Sequence, residues 1–577
     1  MRNIYKVLIG TSLSAILSSC SFFDVTPQVI CSETFYKTEA EVKYGLAGIY
    51  GAMSKESFYG NYYSLMYSNI DDLCYFNREI STNYLQYCRH DASNQFIYDI
   101  WTAMYQGVNN ANSFMEAVVQ TEFDKDGKYY NEARFLRAYY YFLIAQSFGD
   151  VPLRTSAVKT PEEVYCKATP QFDVLTWAET EMEACLELAD EDVAVQPSRV
   201  TKTTMQGILA RVNLFLAGAS VQGGDKTKFL TNARDFANKV IISTKHDLNP
   251  DYSQVFINMF QNKYDTEYHE SMWEVEFYGD RSSAEFWSNG RIGDLLGLQS
   301  GGSTSTEFDK FKCNFAHGQY NGSLRLWDLY WKTDRTDAEN QLDVITDKRQ
   351  DWNLPPYNYA GNAKQPPYGT TGSGICVTGI DKTPYVYGKD ATTKKDLTTT
   401  TTPTTAQAIR NCGKFRREVQ YEGQKTAKLL YNCINYPILR YSDVLLMYAE
   451  ASNELSGPTQ EAYDAVLKVR TRAGISTKAY SEYDQASFRE LVRNERGREL
   501  CFEGLRRFDL IRWGIYVEAM HSYSEQTADS RWSQSAALAA RALDMGGNIQ
   551  KRHELLPIPS IELGSNKELV QNSLWAN

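Results

Sequence analysis

The chain has 577 residues, of which 43% are hydrophobic and 23% are charged, and its mean hydropathy is −0.46. These values exclude a disordered chain and a polytopic membrane protein, and the length predicts a folded body with a sizeable core. The formal net charge of −11 argues against the concentrated basic face that nucleic-acid binding requires, so we expect no nucleic-acid partner. The 40 tyrosines predict that some phenol rings are exposed, because their hydroxyl groups favour contact with water.

The N-terminus has the pattern of a secretory signal peptide. Two basic residues precede an apolar run over 7–17, which is too short to span a bilayer as a mature helix. The run ends in Leu-Ser-Ser-Cys, which resembles the bacterial lipobox, where the cysteine is acylated before cleavage. We therefore predict a signal peptide over 1–19, lipidation of Cys20 and a lipid tether over 20–37. An ordinary secretory signal is the alternative.

Apolar residues then recur at helical spacing through much of the chain. The predicted helices are 38–50, 94–118, 129–148, 171–190, 201–219, 229–243, 437–454, 458–472 and 486–513. Small residues lie beside large aromatics in 133–142, which lets neighbouring helices approach closely. This pattern is typical of tetratricopeptide-like helix pairs, although the repeat period is degenerate. We predict a mainly α scaffold of helical hairpins over 38–250 and 431–577.

The helical pattern is interrupted between 251 and 430. This stretch contains a strand pattern at 272–277, Gly/Ser-rich loops at 288–305, Pro/Tyr-rich loops at 353–368 and a Thr-rich run at 392–405. It predicts a loop-rich, partly β insertion within a single domain over 38–577. Trp273 alternates with further apolar residues in the strand pattern, so we expect it to lie in the core.

Charged residues are concentrated near the C-terminal end of the predicted scaffold. Glu495, Glu499 and Glu503 are spaced by four residues, which would place them on one face of a helix. The arginines around them in sequence are 489, 493, 496, 498, 506, 507 and 512. Carboxylates in such surroundings stay ionised and are poor general acids, so the pattern predicts a buried ion-pair network and not a metal or catalytic site.

Four blocks of sequence follow one another in a fixed order. They are 131–142 with 148–153, 440–451 with 469–474, 494–514, and 556–559 with Glu562, Gln571 and Asn572. Together with the lipobox they resemble the SusD/RagB family, the glycan-binding lipoproteins of Bacteroidetes outer membranes, over nearly the whole chain. The resemblance implies a SusD-like fold and a lipid-anchored position in the outer membrane, facing the cell exterior. It also implies a non-catalytic role in capturing glycan for a SusC-like TonB-dependent transporter.

Common catalytic motifs are absent from the sequence. It contains no G-x-S-x-G, H-E-x-x-H, Walker loop or G-x-G-x-x-G, the six histidines lack ligand spacing, and the 11 cysteines include no C-x-x-C pair. We expect no metal and no cofactor, and we interpret 124–127 as a plain turn. A surface glycoside hydrolase stays an alternative because it needs only two carboxylates about 5–10 Å apart, which no pattern excludes.

Glycan binding calls for an exposed aromatic platform flanked by polar groups, because a sugar ring has an apolar face and a polar rim. Glycan-binding members of the resembling family carry ligand contacts in the stretch that corresponds to 71–98. The candidates there are Asp71, Asp72, Tyr75, Asn77, Arg78, Tyr84 and Tyr87. The candidates in the insertion are Phe286, Trp287 and Arg291 in one loop, and Trp352, Tyr357 and Tyr359 in another. Packing of the tyrosines on a neighbouring helix is the structural alternative, and peptide capture, which the RagB side of the family implies, is the alternative function.

Overall fold

A computed structural model describes most of the chain, and α-helices predominate in it. The described residues are 35–79, 84–191, 196–277, 290–299, 316–331, 334–340, 346–355, 410–417, 431–529, 532 and 536–576. The helices before the predicted insertion are α1 (Glu39–Gly51), α2 (Gln95–Val118), α3 (Lys128–Phe148), α4 (Gln171–Ala184), α5 (Lys202–Leu216) and α6 (Lys226–Ile242). The mainly helical fold predicted from the apolar periodicity is therefore confirmed.

Shorter helices follow within the predicted insertion, and long ones return after it. The insertion contains α7 (Tyr252–Gln261), α8 (Ile292–Leu295), α9 (Leu324–Tyr330), α10 (Asp337–Asn340) and α11 (Lys348–Asn353). The C-terminal part contains α12 (Tyr441–Ser456), α13 (Gln460–Ala473), α14 (Gln485–Leu500), α15 (Arg506–Arg512), α16 (Tyr516–Glu525), α17 (Ala536–Gly547) and α18 (Ser560–Ser565). None of the helices in the described ranges is long and apolar enough to cross a membrane.

Polar caps fix where the helices begin. The Thr38 hydroxyl accepts a hydrogen bond from the Glu41 amide, and the Glu41 carboxylate accepts one from the Thr38 amide, which together form a capping box at α1. The Asn94 side chain accepts from two amides at the start of α2. At the other end of a helix, Gly474 follows α13 with a φ of 79°, a conformation that favours glycine.

Consecutive helices pack against each other, among them α2 with α3, α3 with α4, α5 with α6 and α12 with α13. Close approach is visible where α2 crosses α3, because a Cβ at Gly107 would overlap the ring of Tyr140. The Tyr140 hydroxyl then donates to the Ile49 carbonyl of α1 at 2.7 Å. One glycine and one buried tyrosine therefore join three helices.

Three short antiparallel sheets connect these helices. Strand β1 (Cys74–Phe76) pairs with β5 (Tyr320–Gly322), β2 (Val151–Pro152) with β3 (Ala168–Thr169), and β4 (Ser271–Val275) with β6 (Tyr436–Arg440). The strand predicted at 272–277 is confirmed in β4, and Trp273 is fully buried against Tyr139 with ring centroids 4.7 Å apart. Residues 437–440, predicted as helix, are in β6 because β4 supplies their hydrogen-bond partners.

The long helix predicted at 486–513 is two helices with a turn between them. Phe502 and Gly504 have φ values of 65° and 70°, which an α-helix does not accommodate. A Cβ at residue 504 would lie 2.5 Å from the Tyr436 hydroxyl, so close packing also requires glycine there. Apolar side chains from both helical stretches and from β4 and β6 belong to one hydrophobic core.

Candidate functional site

The two segments that the sequence singles out for ligand binding meet in the fold. Strand β1 lies in the first segment and pairs with β5 of the insertion, with Tyr75 opposite Asn321. Beyond the strand, the Asn77 amide nitrogen donates to the Gln319 carbonyl at 2.8 Å. Residues 71–79 are therefore held alongside residues 316–322, although more than 200 positions separate them in the chain.

Five of the candidates in 71–98 are buried and hydrogen-bonded inside the protein. They are Asp71, Asp72, Tyr75, Asn77 and Tyr87. Asp72 receives a bidentate bond from Arg506 at 2.7 and 2.8 Å. The Tyr87 hydroxyl donates to two backbone carbonyls, those of residues 76 and 78. None of the five offers a surface to a ligand in this structure, and their bonds position the segment, as the packing alternative expects.

Asp71 shows how completely this interior is closed to water. Its Oδ1 accepts from the Leu73 amide at 2.8 Å, and no arginine or lysine of the described chain lies within 4 Å of its carboxylate. Burial raises the pKa of Asp71 to about 7, with a further contribution from neighbouring Asp72. A carboxyl group enclosed in this way has no access to a bound sugar.

Arg78 and Tyr84 are the candidates in the first segment that reach the surface. Tyr84 is 49% exposed, and Arg78 is half-buried. The Arg78 Nη2 donates to the His317 carbonyl at 2.6 Å, which ties the first segment to the insertion. An exposed aromatic ring and a guanidinium on the same short segment are the groups that sugar recognition calls for.

Arg291 of the insertion continues the same surface through two further side chains. Its Nη2 donates to Asp294 at 2.6 Å, and the other oxygen of Asp294 lies 2.7 Å from His317 Nδ1. Asp294 is fully buried; burial acts to raise its pKa, but the His317 hydrogen bond and the Arg291 charge outweigh that and lower it. We name Arg78, Tyr84, Arg291, Asp294 and His317 the polar edge.

The ring of Trp352 is largely covered by protein groups. The Arg416 guanidinium carbon lies 4.0 Å from its ring centroid, and the Phe260 ring lies nearly parallel to it at 6.4 Å. The ring therefore packs against protein groups, which leaves little room for a sugar. The remaining predicted positions, Phe286, Trp287, Tyr357, Tyr359 and Cys20, lie outside the described residues.

The predicted ion-pair network is confirmed, with partners different from those nearest in sequence. Glu499 is fully buried and contacts Arg472, Arg349 and Arg440 at 2.6, 2.9 and 3.0 Å. Of the seven arginines adjacent in sequence, Arg498 contacts Glu495 at 3.0 Å. Glu503 lies beyond the end of α14 and not on its face, and it pairs with Lys414 and Arg440. The other six arginines contact different groups. Four of them form ion pairs: Arg496 with Asp443 and Asp509, Arg512 with Glu450 and Asp509, Arg506 with Asp72, and Arg489 with Glu454. The remaining two lie over aromatic rings: Arg493 over Trp513, and Arg507 over Tyr67 and Tyr516.

This network leaves Glu495 unable to act as an acid near neutral pH. Burial alone would raise the pKa of Glu495, but Arg349, Arg470 and Arg498 outweigh it and hold the pKa at about 2. Burial also raises the pKa of the Cys501 thiol to about 11, so that thiol is a poor nucleophile. Within the described ranges, no group of three or more His, Cys, Asp or Glu side chains is placed to hold a metal ion.

Comparison with known proteins places the chain in a family. The pattern of the SusD family matches residues 253–575, which is more than half of the chain, and a second pattern, described as "Starch-binding associating with outer membrane", matches residues 21–214. The chain belongs to the SusD family. A curated relative of this SusD family member, SusD-like protein P25 of Formosa agariphila, is 24% identical over 100% of this chain and 99% of its own length.

Solved structures of SusD proteins share the fold. A SusD homolog from Bacteroides thetaiotaomicron superposes with a TM-score of 0.76 and 24% identity, over 94% of this chain and 98% of that one. A structure described as a laminarin-binding SusD-like protein superposes with a TM-score of 0.63 and 19% identity, over 93% of this chain and 100% of that one. The SusD-like fold expected from the sequence blocks is therefore confirmed.

In this SusD protein, sequence reasoning missed His317 of the polar edge and Arg541, which contacts the residues on either side of Arg78. His317 lies in the insertion without any neighbouring motif, and Arg541 lies in an alanine-rich part of α17. Arg541 Nη1 donates to the Asn77 carbonyl, and its Nη2 donates to Glu79 Oε1 at 3.0 Å. These contacts arise from tertiary packing, for which local periodicity carries no signal.

A separate cleft of about 700 Å³ opens beside the first turns of α1 and α3. Phe123, Tyr129 and Arg199 are among its lining residues, and none of the polar-edge residues lines it. Glu132 in its wall accepts hydrogen bonds from Tyr50 at 2.6 Å and from Arg199 at 3.1 Å. Because it also combines aromatic rings with polar groups, this cleft is the natural comparison site for any binding experiment.

Proposed function

We propose that this SusD protein binds glycan at the polar edge and does not cleave it. The observation that carries the proposal is that the half-buried Arg78 guanidinium is tied through His317 and Asp294 to Arg291 of the insertion, while Tyr84, on the same segment as Arg78, is exposed. Membership of the SusD family supports it, as does the likeness in fold to a protein described as laminarin-binding. A platform of this kind contributes about 1 kcal/mol per stacked ring beyond area burial.

Affinity electrophoresis against laminarin, soluble starch and a panel of other polysaccharides tests this proposal. At least one glycan should retard the protein, and Tyr84→Ala should weaken that binding about fivefold, which corresponds to the loss of about 1 kcal/mol. Tyr129→Ala in the cleft beside α1 and α3 is the matched control and should bind as the unmodified protein does. Loss of binding in Tyr129→Ala alone would move the site to the cleft.

Two other results would replace the proposal by a rival function. Retention of extended peptides by the protein, with no retardation by any glycan, would favour peptide capture. Release of reducing ends from a bound glycan by the purified protein would show a glycoside hydrolase. The low pKa of Glu495 in the ion-pair network supports the absence of catalysis there, because this carboxylate has no proton to donate at neutral pH.

We further propose that Cys20 is lipidated after removal of 1–19 and that the protein is anchored in the outer membrane, facing the exterior. The basic and apolar pattern before Cys20 supports this, together with the outer-membrane description of the pattern that matches 21–214. Metabolic labelling with an alkynyl fatty acid should mark the unmodified protein and not Cys20→Ala. Labelling of both proteins would contradict the assignment of Cys20.

The partner that we propose is a SusC-like TonB-dependent transporter, to which the protein delivers its glycan. We also propose that 38–577 folds as one domain, since the buried apolar residues of both helical stretches share one core. Affinity purification from native membranes should recover a barrel protein with the chain. Recovery of the chain without a barrel would contradict the delivery role and leave glycan binding standing.

A further inference from the structure

Among the residues that the structure describes, Arg78 is a partly exposed cation without an acidic partner. Its Nη2 donates to the His317 carbonyl, and no carboxylate of the described residues lies within 4 Å of its nitrogens. A guanidinium carries five N–H donors, so most of the donors of Arg78 are not used by the described protein groups. The side chain is half-buried, so part of it reaches solvent.

A second arginine lies beside it. Arg541 of α17 donates to the Asn77 carbonyl and to Glu79, so that its guanidinium lies against the residues on either side of Arg78. The side chain of Arg541 is 22% exposed, whereas that of Glu79 is 80% exposed. Burial lowers the pKa of Arg78, and the charge of Arg541 lowers it further, which shows that the two cations repel each other.

The nearby acidic groups do not neutralise this pair. Asp294 attracts Arg78 but is itself bonded to Arg291 and His317. The Glu79 side chain is largely exposed, so solvent screens the attraction between Glu79 and Arg541. A chain with a formal charge of −11 thus presents two adjacent arginines at the edge where we place the ligand.

We propose that the polar edge selects glycans that carry anionic groups, either carboxylates or sulfate esters. Arg78 is the binding residue for the anion, and Arg541 adds the second positive charge and positions residues 77–79. This inference rests on the proposed glycan-binding function and names the substrate class. The planar fork of a guanidinium matches the two oxygens of such groups, whereas the hydroxyls of a neutral sugar would supply Arg78 with no counter-charge.

Four probes separate the two sources of negative charge. They are a polyuronate, the same polymer after reduction of its carboxyl groups, a sulfated galactan, and the same galactan after desulfation. The full chain should bind one anionic probe at least about tenfold more tightly than the neutral form of that polymer, as measured by isothermal titration calorimetry. Raising NaCl from 50 to 500 mM should remove most of this preference, because added salt screens partly exposed charges.

Variants then assign the preference to Arg78. Arg78→Gln should bind the anionic and neutral forms equally, whereas Arg89→Gln should keep the preference. Arg89 is a suitable control because it lies on the same segment and is already paired with Asp544 at 3.2 Å. Thermal unfolding of each variant checks that it is folded, and the salt dependence of the unmodified chain tests the proposal without any variant.

Each outcome has a distinct meaning. A preference for the polyuronate or for the sulfated galactan supports the proposal and identifies the anion. Equal binding of charged and neutral forms, unchanged by salt and by Arg78→Gln, would overturn the proposal while leaving glycan binding intact. Failure of all four probes and of the wider panel to bind would instead remove the proposed function on which the inference rests.

Discussion

Replacing Glu499 by Gln would show how strongly the buried ion pairs hold the helical frame together. The Glu499 carboxylate lies on α14 and contacts Arg472 of α13, Arg349 of α11 and Arg440 of β6, at 2.6 to 3.0 Å. One carboxylate therefore joins four elements, and all of these side chains are buried. Glutamine keeps the size of the side chain and one hydrogen-bond acceptor but removes the charge.

The expected cost follows from what the remaining partners can do. Removing one member of a buried ion pair destabilises a protein by about 3–5 kcal/mol, because the other charge stays buried without compensation. Here Glu270 still pairs with Arg440 and Arg472, and Glu495 still pairs with Arg349. We therefore expect the lower end of that range, a loss of about 3 kcal/mol in the free energy of unfolding.

Urea unfolding followed by tryptophan fluorescence measures this loss. The control is Glu454→Gln, because Glu454 pairs with Arg489 at 2.6 Å while both side chains are partly exposed. Exposed pairs contribute little, so this variant should lose less than about 1 kcal/mol. If the two variants were equally stable, the buried network would not contribute more than a surface pair, and the reasoning would be refuted.

Three further predictions concern pH and packing. The pKa of Glu495 is held at about 2 in the folded state, against an ordinary value of 4.5. The stabilising effect of this carboxylate is therefore complete above pH 4.5 and is lost as the pH falls toward 2. Circular dichroism should show acid unfolding in that window, and constant stability down to pH 2 would contradict the prediction. Burial raises the pKa of Glu274 to about 7, so above that pH the folded state must bury a negative charge. Glu274→Gln should therefore raise the melting temperature more at pH 8.5 than at pH 5. Equal shifts at the two pH values would argue against the raised pKa. Gly107→Ala should lower the free energy of unfolding by about 1–3 kcal/mol, because the new Cβ meets the Tyr140 ring. Gly48→Ala should instead stabilise α1 by about 0.5–1 kcal/mol, because its Cβ meets nothing within 4 Å. Thermal unfolding distinguishes the two variants, and similar shifts would refute the packing argument.

The helical frame could be predicted from sequence because its signals are local. Apolar periodicity places α2 and α3 to within one residue of each predicted boundary, since Asn94 and Gly127 mark where those helices begin. The periodicity fails at 437–440 because pairing with β4 is a long-range contact. It fails again after Leu500, where packing of Gly504 against Tyr436 imposes a turn that no periodicity records.

The candidate site was less predictable because burial, and not residue type, decides which polar groups meet a ligand. Tyr84 and Tyr87 are identical residues three positions apart, yet one is half exposed and the other is buried with its hydroxyl bonded to two carbonyls. Nothing in the local sequence separates them. Arg541 could not be connected with residues 77–79 either, because 462 positions separate it from Glu79.

The charged residues of the block 494–514 are linked to the polar edge by direct contacts. These contacts explain why the fold is easier to infer than the ligand. Arg506 follows the turn after α14 and donates two hydrogen bonds to Asp72, which lies two residues before β1. Strand β1 in turn aligns β5, so the block fixes where Arg78 leaves the sheet. It does not fix what Arg78 faces, because the surrounding surface comes from the insertion and from α17. Substitutions in those two regions can therefore change the surface around Arg78 while the Arg506–Asp72 bond preserves the position of β1.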